Sequence, residues 1–343
     1  MTKKNYSSID IAKFLCAFLI IPIHVFPSFA SENGVCFSFL NIICRYAVPL
    51  FFVFSGFFLG SKDLKDYSNI KKYIKRIGIL YLCWSLIYIP FVIHDFLIGQ
   101  TEINAYVVRE IQSIFFAGTY YHLWFFTSLI YAAFLIFILN KSLPPKVVWI
   151  ILGILFIIGA FGDSYYSLSQ YFPAVGNAYN SYLGTFLFTR NGIFLTPIYL
   201  YAGIRIRQRE ISLPRSKSII GFAVSSILVI IEALIINQKH LSIMYGCNFY
   251  FFMIPAAIFA LLILKDINVK ERKCYITMRK CSVIIYAVHV VFLNLLYIFI
   301  SYRFVAFHST AAFIIISLLS FVTSFIIVKL SETRFGKFLK VLY

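Results

Sequence analysis

Long apolar runs rich in Phe, Ile and Leu recur along the chain, separated by short polar segments in which Lys and Arg are concentrated. A helix needs about twenty apolar residues to cross a hydrocarbon core of about 30 Å, and inside lipid it must satisfy its own backbone hydrogen bonds. This length rule predicts spans over 9–29, 40–60, 77–98, 122–140, 146–162, 191–206, 218–236, 248–265, 281–301 and 311–330. The expected fold class is an all-α integral membrane protein, a bundle of about ten transmembrane helices. Residues 1–343 are read as one membrane domain with no soluble domain, since no repeat or low-complexity segment interrupts the pattern.

The basic residues set the orientation. With the N-terminus cytoplasmic, about 25 of the 31 Lys and Arg fall in inner segments, and about five (Arg45, Arg109, Arg190, Lys239 and Arg303) fall at outer ends. That asymmetry is what the positive-inside rule demands, and an even number of spans returns the C-terminus to the cytoplasm. The longest outer segments are 99–121 and 163–190. In the second, Tyr165, Tyr166, Tyr171, Tyr179 and Tyr182 suit either a membrane–water interface or a lid over a substrate mouth.

Composition narrows the class further. The chain is 61% hydrophobic and 13% charged, against roughly 25% charged residues in an ordinary soluble domain. The net charge of +18 sits in clusters that match the anionic inner leaflet, so nucleic acid is excluded as a partner in favour of the lipid bilayer. The N-terminal run lacks a small-residue cleavage site before Pro27 and reads as a retained span, which implies a multi-pass protein of the bacterial cytoplasmic membrane. Seven scattered cysteines form no metal or redox motif, although a bridge between Cys36 and Cys247 near the outer face is an open option.

An ionisable residue in hydrocarbon costs a few kcal/mol or more, so the few that remain carry most of the information. The first span holds Asp10, Lys13 and His24. Eleven residues separate Lys13 from His24, about three helical turns, which puts both on one face roughly 16 Å apart. Pro22 and Pro27 flank the histidine and predict a helix interrupted there. In the ninth span Ser282, Tyr286 and His289 form one polar stripe. Both groups fit either a reaction site or hydrogen bonds that stitch helices together.

Other polar positions lie at span ends. His122 and Trp124 open the fourth span; Ser55 and Gly56 close the second, where small residues allow helices to approach. Arg190, Asn191 and Gly192 begin the sixth, a helix N-terminus suited to an anionic or hydroxylated ligand. Glu232 and Asp163 lie near outer ends and are expected to be hydrated.

Taken together, these features resemble the membrane-bound acyltransferase family 3, whose members carry ten core helices. The carrying residues are Lys13 and His24, spaced as in the family's first-helix signature, and the runs Ser55–Leu59, Lys71–Arg76, His122–Phe125 and Ser282–His289. The family usually has arginine at the first position; Lys13 keeps the charge but loses the bidentate fork. The chain is also similar to the membrane domain of VanT-type serine racemases, through Tyr121–Phe125, Phe161–Tyr166 and Thr189–Phe194, followed by Pro197 and Gly203. In those racemases a soluble pyridoxal-phosphate domain follows; with this chain ending at Tyr343, no racemase activity and no pyridoxal phosphate are expected.

The resemblance implies transfer of an acyl group, acetyl in the simplest case, from cytoplasmic acyl-CoA to a hydroxyl of an extracytoplasmic cell-wall, polysaccharide or small-molecule acceptor. Lys13, Lys72, Lys75 and Arg76 would hold the donor phosphates. His24 would act as general base or accept the acyl group, with Tyr286, His289 and His122 orienting it or stabilising the oxyanion, and no metal is needed. Asp10, Ser55, Trp124, Arg190 and Asn191 are the acceptor-binding candidates. The rival reading is a carrier for a small polar solute such as serine, which intramembrane ionisable residues would serve equally well. A third is a non-catalytic membrane scaffold. Oligomeric state is left open.

Overall fold

A computed structural model of the chain describes residues 6–26, 39–99, 102–243 and 247–343, with the side chain of Phe39 left out. Among these residues the secondary structure is helical throughout, with no strand. The helices are α1 (Ser7–Val25), α2 (Phe39–Arg45), α3 (Ala47–Leu59), α4 (Tyr67–Ile98) and α5 (Ile103–Gln112), then α6 (Trp124–Ser142), α7 (Pro145–Phe161), α8 (Tyr166–Ser169), α9 (Pro173–Phe186) and α10 (Thr196–Arg207). They continue as α11 (Arg215–Gln238), α12 (Met253–Lys265), α13 (Lys273–Phe299), α14 (Tyr302–Phe307) and α15 (Ser309–Ser331).

Among the described residues every predicted span falls on helix, with shifted ends. Seven of the described helical segments are long and apolar enough to cross a membrane, whereas α7 and α12 are apolar but shorter and α10 has 12 residues. Several differences have clear causes. α4 starts ten residues before the predicted 77 because Asp66 caps it, accepting the Ser68 amide at 2.8 Å, and Lys and Arg are good helix formers. The second span is broken at Tyr46 into α2 and α3. The predicted interruption at Pro22 is absent: α1 runs through it to Val25, and Pro27 lies outside the described residues. Pro22 still withholds an amide from the carbonyl of Phe18, one turn back. Cys247 is disulfide-bonded, while Cys36, the partner considered for it, lies outside the described residues.

The chain divides into two compact units, each assembled from separated stretches. The first comprises Met1–Phe54, Arg209–Ile231 and Phe252–Tyr343. Here α1 packs along α13, and α15 packs against both. Asp10 lies beside Arg279 and His24 beside His289, so α1 and α13 run parallel. Phe14 meets Phe321 while Phe26 meets Phe313, so α15 runs opposite to α1; the Ser8 hydroxyl donates to Leu264 at the far end of α12, which is antiparallel too. These directions are those of first, ninth, tenth and eighth spans in an alternating bundle.

The second unit comprises Ser55–Gln208 and Glu232–Phe251. Tyr67 meets Phe137 and Tyr88 meets His122, making α6 antiparallel to α4. Ser128 bonds Thr196 and Asn140 bonds Arg205, making α10 parallel to α6. The close approach expected at Ser55–Gly56 is present: a Cβ on Gly56 would lie 1.9 Å from the Leu200 carbonyl oxygen. After α5 a π-helical turn over Ser113–Ala117 ends at Gly118, whose φ of 84° and closeness to the Trp124 amide admit only glycine.

Large apolar side chains are exposed in rows on the long helices. Ile220, Val224, Ile227 and Ile231 follow one face of α11, and Leu82, Leu86, Ile93 and Leu97 follow α4. Such faces would be aggregation sites in water and are the expected surface against lipid. The protein is a multi-pass membrane protein.

Candidate functional site

The first unit concentrates its polar groups where α1 and α13 run side by side. The His24 and His289 rings are 5.3 Å apart between centroids, with planes 33° from parallel. His289 is fully buried, and its Nδ1 lies 2.7 Å from the carbonyl oxygen of Tyr286 and 3.3 Å from that of Ile285. A carbonyl oxygen can only accept, so Nδ1 carries the proton and Nε2 the lone pair. The backbone of α13 therefore sets the tautomer. Tyr286, one turn earlier, places its ring 6.3 Å from that of His289 and 6.3 Å from Phe51. Ser282, the third member of the stripe, donates to the Arg279 carbonyl within its own helix.

The charged end of the same helix pair lies about nine to ten residues earlier on α13, roughly 15 Å along the axis. There Asp10, buried in the first turn of α1, faces the Arg279 guanidinium at 3.6 Å, with Lys13 also close enough to act on it. One helix pair thus carries a cation-rich end and an imidazole pair.

The remaining sequence candidates belong to the second unit. His122 is buried among aromatic rings, edge-on to Tyr88 at 4.9 Å and to Tyr121 at 5.7 Å. Tyr120 stacks on Tyr88 at 4.8 Å and donates to Asp95. The Arg190 guanidinium lies over Phe188 at 4.6 Å and over Trp124 at 5.7 Å. Asn191 does not begin a helix: its side-chain oxygen accepts from the Ile193 and Phe194 amides and its amide donates to Tyr182 and to the Phe188 carbonyl. The helix starts only at Thr196, so the anion site expected at a helix N-terminus over Arg190–Gly192 has no helix to supply it. Lys72, Lys75 and Arg76 are exposed on the first turns of α4, and Ser55 lies beside the Tyr73 hydroxyl.

Two groups escaped the sequence reading. Glu232 and Asp163 are buried, not hydrated, because each carboxylate meets donors from the protein itself. Glu232 accepts from the Tyr165 hydroxyl at 2.6 Å and the Phe251 amide at 2.7 Å. Asp163 accepts from the amide and side chain of Asn248, each at 2.8 Å. The Tyr165 hydroxyl is held well above its ordinary pKa, first by burial and then by the neighbouring carboxylate, so it acts as a donor at all ordinary pH. Near the other end of α6, Arg205 is buried against Tyr201 and donates to Asn140. Its only sequence signal was a basic residue inside a predicted span.

The acyltransferase-domain family matches residues 6–329. An amino-acid racemase of Enterococcus faecalis is 36% identical over 204 residues, 59% of this chain and 28% of that protein. A second amino-acid racemase of the same organism is 28% identical over 290 residues, 83% of this chain and 37% of that protein. A serine/alanine racemase of Enterococcus gallinarum is 30% identical over 233 residues, 66% of this chain and 32% of that protein. The chain thus spans about a third of the length of the curated relatives it matches. No solved structure matches it. With a signature helix that brings His24 against His289 and a family match over nearly the whole chain, the protein belongs to acyltransferase family 3.

Proposed function

We propose that this protein moves an acetyl group from cytoplasmic acetyl-CoA to a hydroxyl of an acceptor on the other side of a bacterial cytoplasmic membrane. The observation that carries the reading is the imidazole pair: two histidines in ring contact between membrane-length helices, one with its tautomer set by the backbone. His24, only partly buried, is the base that takes the acceptor's proton. The alkoxide oxygen then attacks the thioester carbonyl, the carbon–sulfur bond breaks, and the CoA thiolate leaves with a proton. His289, held by the Tyr286 carbonyl, keeps the His24 ring in place, and the Tyr286 hydroxyl is the candidate oxyanion donor.

Lys13, on the same helix face as His24, is suited to the anionic end of the donor, and the exposed Lys72, Lys75 and Arg76 of α4 are further candidates by the family resemblance. His122, with Trp124 and Arg190, supplies aromatic faces and a guanidinium suited to a hydroxylated acceptor such as a cell-wall or polysaccharide unit. The full chain in liposomes, given labelled acetyl-CoA on one side and hydroxylated acceptors on the other, should label an acceptor. His24→Ala should abolish that label while leaving insertion intact; unchanged turnover would remove His24 from the mechanism.

The relatives favour a second reading. The three racemases named above include one that acts on serine and alanine by its name, which would suit transport of such an amino acid by this membrane region. Serine counterflow in the same liposomes without label on any acceptor would favour the carrier.

A further inference from the structure

In the second unit, α5 and α9 face each other across an open cleft of about 580 Å³. The face of α5 turned to it carries Asn104, Val108, Arg109 and Gln112, and α9 and the residue that follows it supply Leu183 and Leu187. The wall is built: Phe116 of the π turn packs edge-on against Phe186 at 4.8 Å, and Tyr182 stacks on Phe186. Leu187 ends α9 with φ at +67°, an unusual conformation for a branched side chain that nevertheless turns it into the cleft.

The opposite face of α5 is apolar and exposed. Ile103, Val107 and Ile111 recur at helical spacing with Ile114 following in the π turn, each 41–62% exposed, and no residue of α5 is fully buried. A helix with one exposed apolar stripe and one polar face lies in the membrane–water interface. The cleft therefore opens at headgroup depth. Arg109 has no ion-pair partner within 4.0 Å among the described residues. Its neighbour Glu110 is held above the usual carboxylate range by desolvation, with the Arg109 charge acting in the opposite sense.

We propose that this cleft binds the phosphate headgroup of an anionic phospholipid. Arg109 grips the phosphate with its planar fork, Asn104 and Gln112 bond the headgroup hydroxyl and ester oxygens, and Val108, Leu183 and Leu187 cover the first methylenes. A lipid is favoured over a soluble anion because the apolar stripe on the same helix delivers the site to the bilayer surface, where the chains of a bound lipid continue into hydrocarbon.

The test uses the full chain in phosphatidylcholine vesicles with and without phosphatidylglycerol, followed by mass spectrometry of the lipid retained on the detergent-released protein. Wild type should retain phosphatidylglycerol preferentially. Arg109→Gln should lower that retention roughly tenfold, the size expected when a charged hydrogen bond is lost. Gly184 borders the cleft with nothing within 4 Å of a Cβ built on it, so Gly184→Trp should fill the cleft and displace the lipid without disturbing packing. Retention unchanged in either variant, with thermal stability also unchanged, would overturn the proposal. So would displacement of the lipid by millimolar inorganic phosphate, which would make a soluble anion the ligand.

Discussion

The imidazole pair of the first unit and the carboxylate clamp of the second both bury ionisable groups among helices of membrane character, yet they are built on opposite principles. Glu232 accepts from the Tyr165 hydroxyl and the Phe251 amide at 2.6–2.7 Å, Asp163 accepts from the backbone and side-chain amides of Asn248 at 2.8 Å, and Phe251 and Asn248 belong to one connecting segment. Such pairing offsets the cost of burial and fixes a loop. His24 and His289 instead meet ring to ring with planes 33° apart, and the bond His289 makes to the Tyr286 carbonyl uses the nitrogen that carries the proton, so the backbone fixes the tautomer. Burial of charge by itself therefore does not mark a site; what marks it is which atoms the fold has already committed.

The sharpest way to break this contrast is to remove the groups and measure both activity and folding. His24→Ala should lower acetyl transfer by about 10²–10⁴-fold, the usual range for a lost general base, with little change in thermal midpoint. His289→Asn, which retains a donor for the Tyr286 carbonyl but loses the ring, should lower turnover less than His24→Ala, as read in the same liposome assay. Glu232→Ala should do the reverse. Stranding the Tyr165 hydroxyl and the Phe251 amide should cost about 2–4 kcal/mol of stability, read by thermal unfolding in detergent, while Glu232→Gln, which keeps an acceptor, costs less. Loss of transfer in Glu232→Ala at wild-type stability would erase the distinction.

Packing offers an intermediate test. Gly56→Leu would drive a side chain into the Leu200 backbone, and overpacking of this kind costs about 1–3 kcal/mol or more, seen as a lower midpoint and poorer insertion yield. The smallest effects come from groups at the surface, where pH acts with opposite signs. Asp66 is held below the usual carboxylate range by the Ser68 hydroxyl and amide, so its hold on the start of α4 is present above that range and is lost as pH falls through its lowered value. Glu110, held up mainly by burial, gains stability from protonation on the same descent. Hydrogen exchange on acidification should therefore loosen the first turn of α4 while leaving α5 unchanged or better protected.

The apolar runs settled the helical membrane class and the order of the segments, because hydrocarbon admits few backbone solutions and a twenty-residue run can do little else. The relative directions of α1, α12, α13 and α15 in one unit, and of α4, α6 and α10 in the other, are those that an alternating order of spans requires. The stripe of Ser282, Tyr286 and His289 was legible too, since helical spacing is a local property. What no local rule could supply was partnership. Only the packing of α1 along α13 set His24 against His289, separated by hundreds of residues in sequence, and only the fold buried Glu232 and Asp163 and turned Asn191 into the organiser of a loop. Spacing along a chain fixes which residues share a helix face; which face meets which is decided by long-range packing and by where each hydrogen-bond donor finds its acceptor.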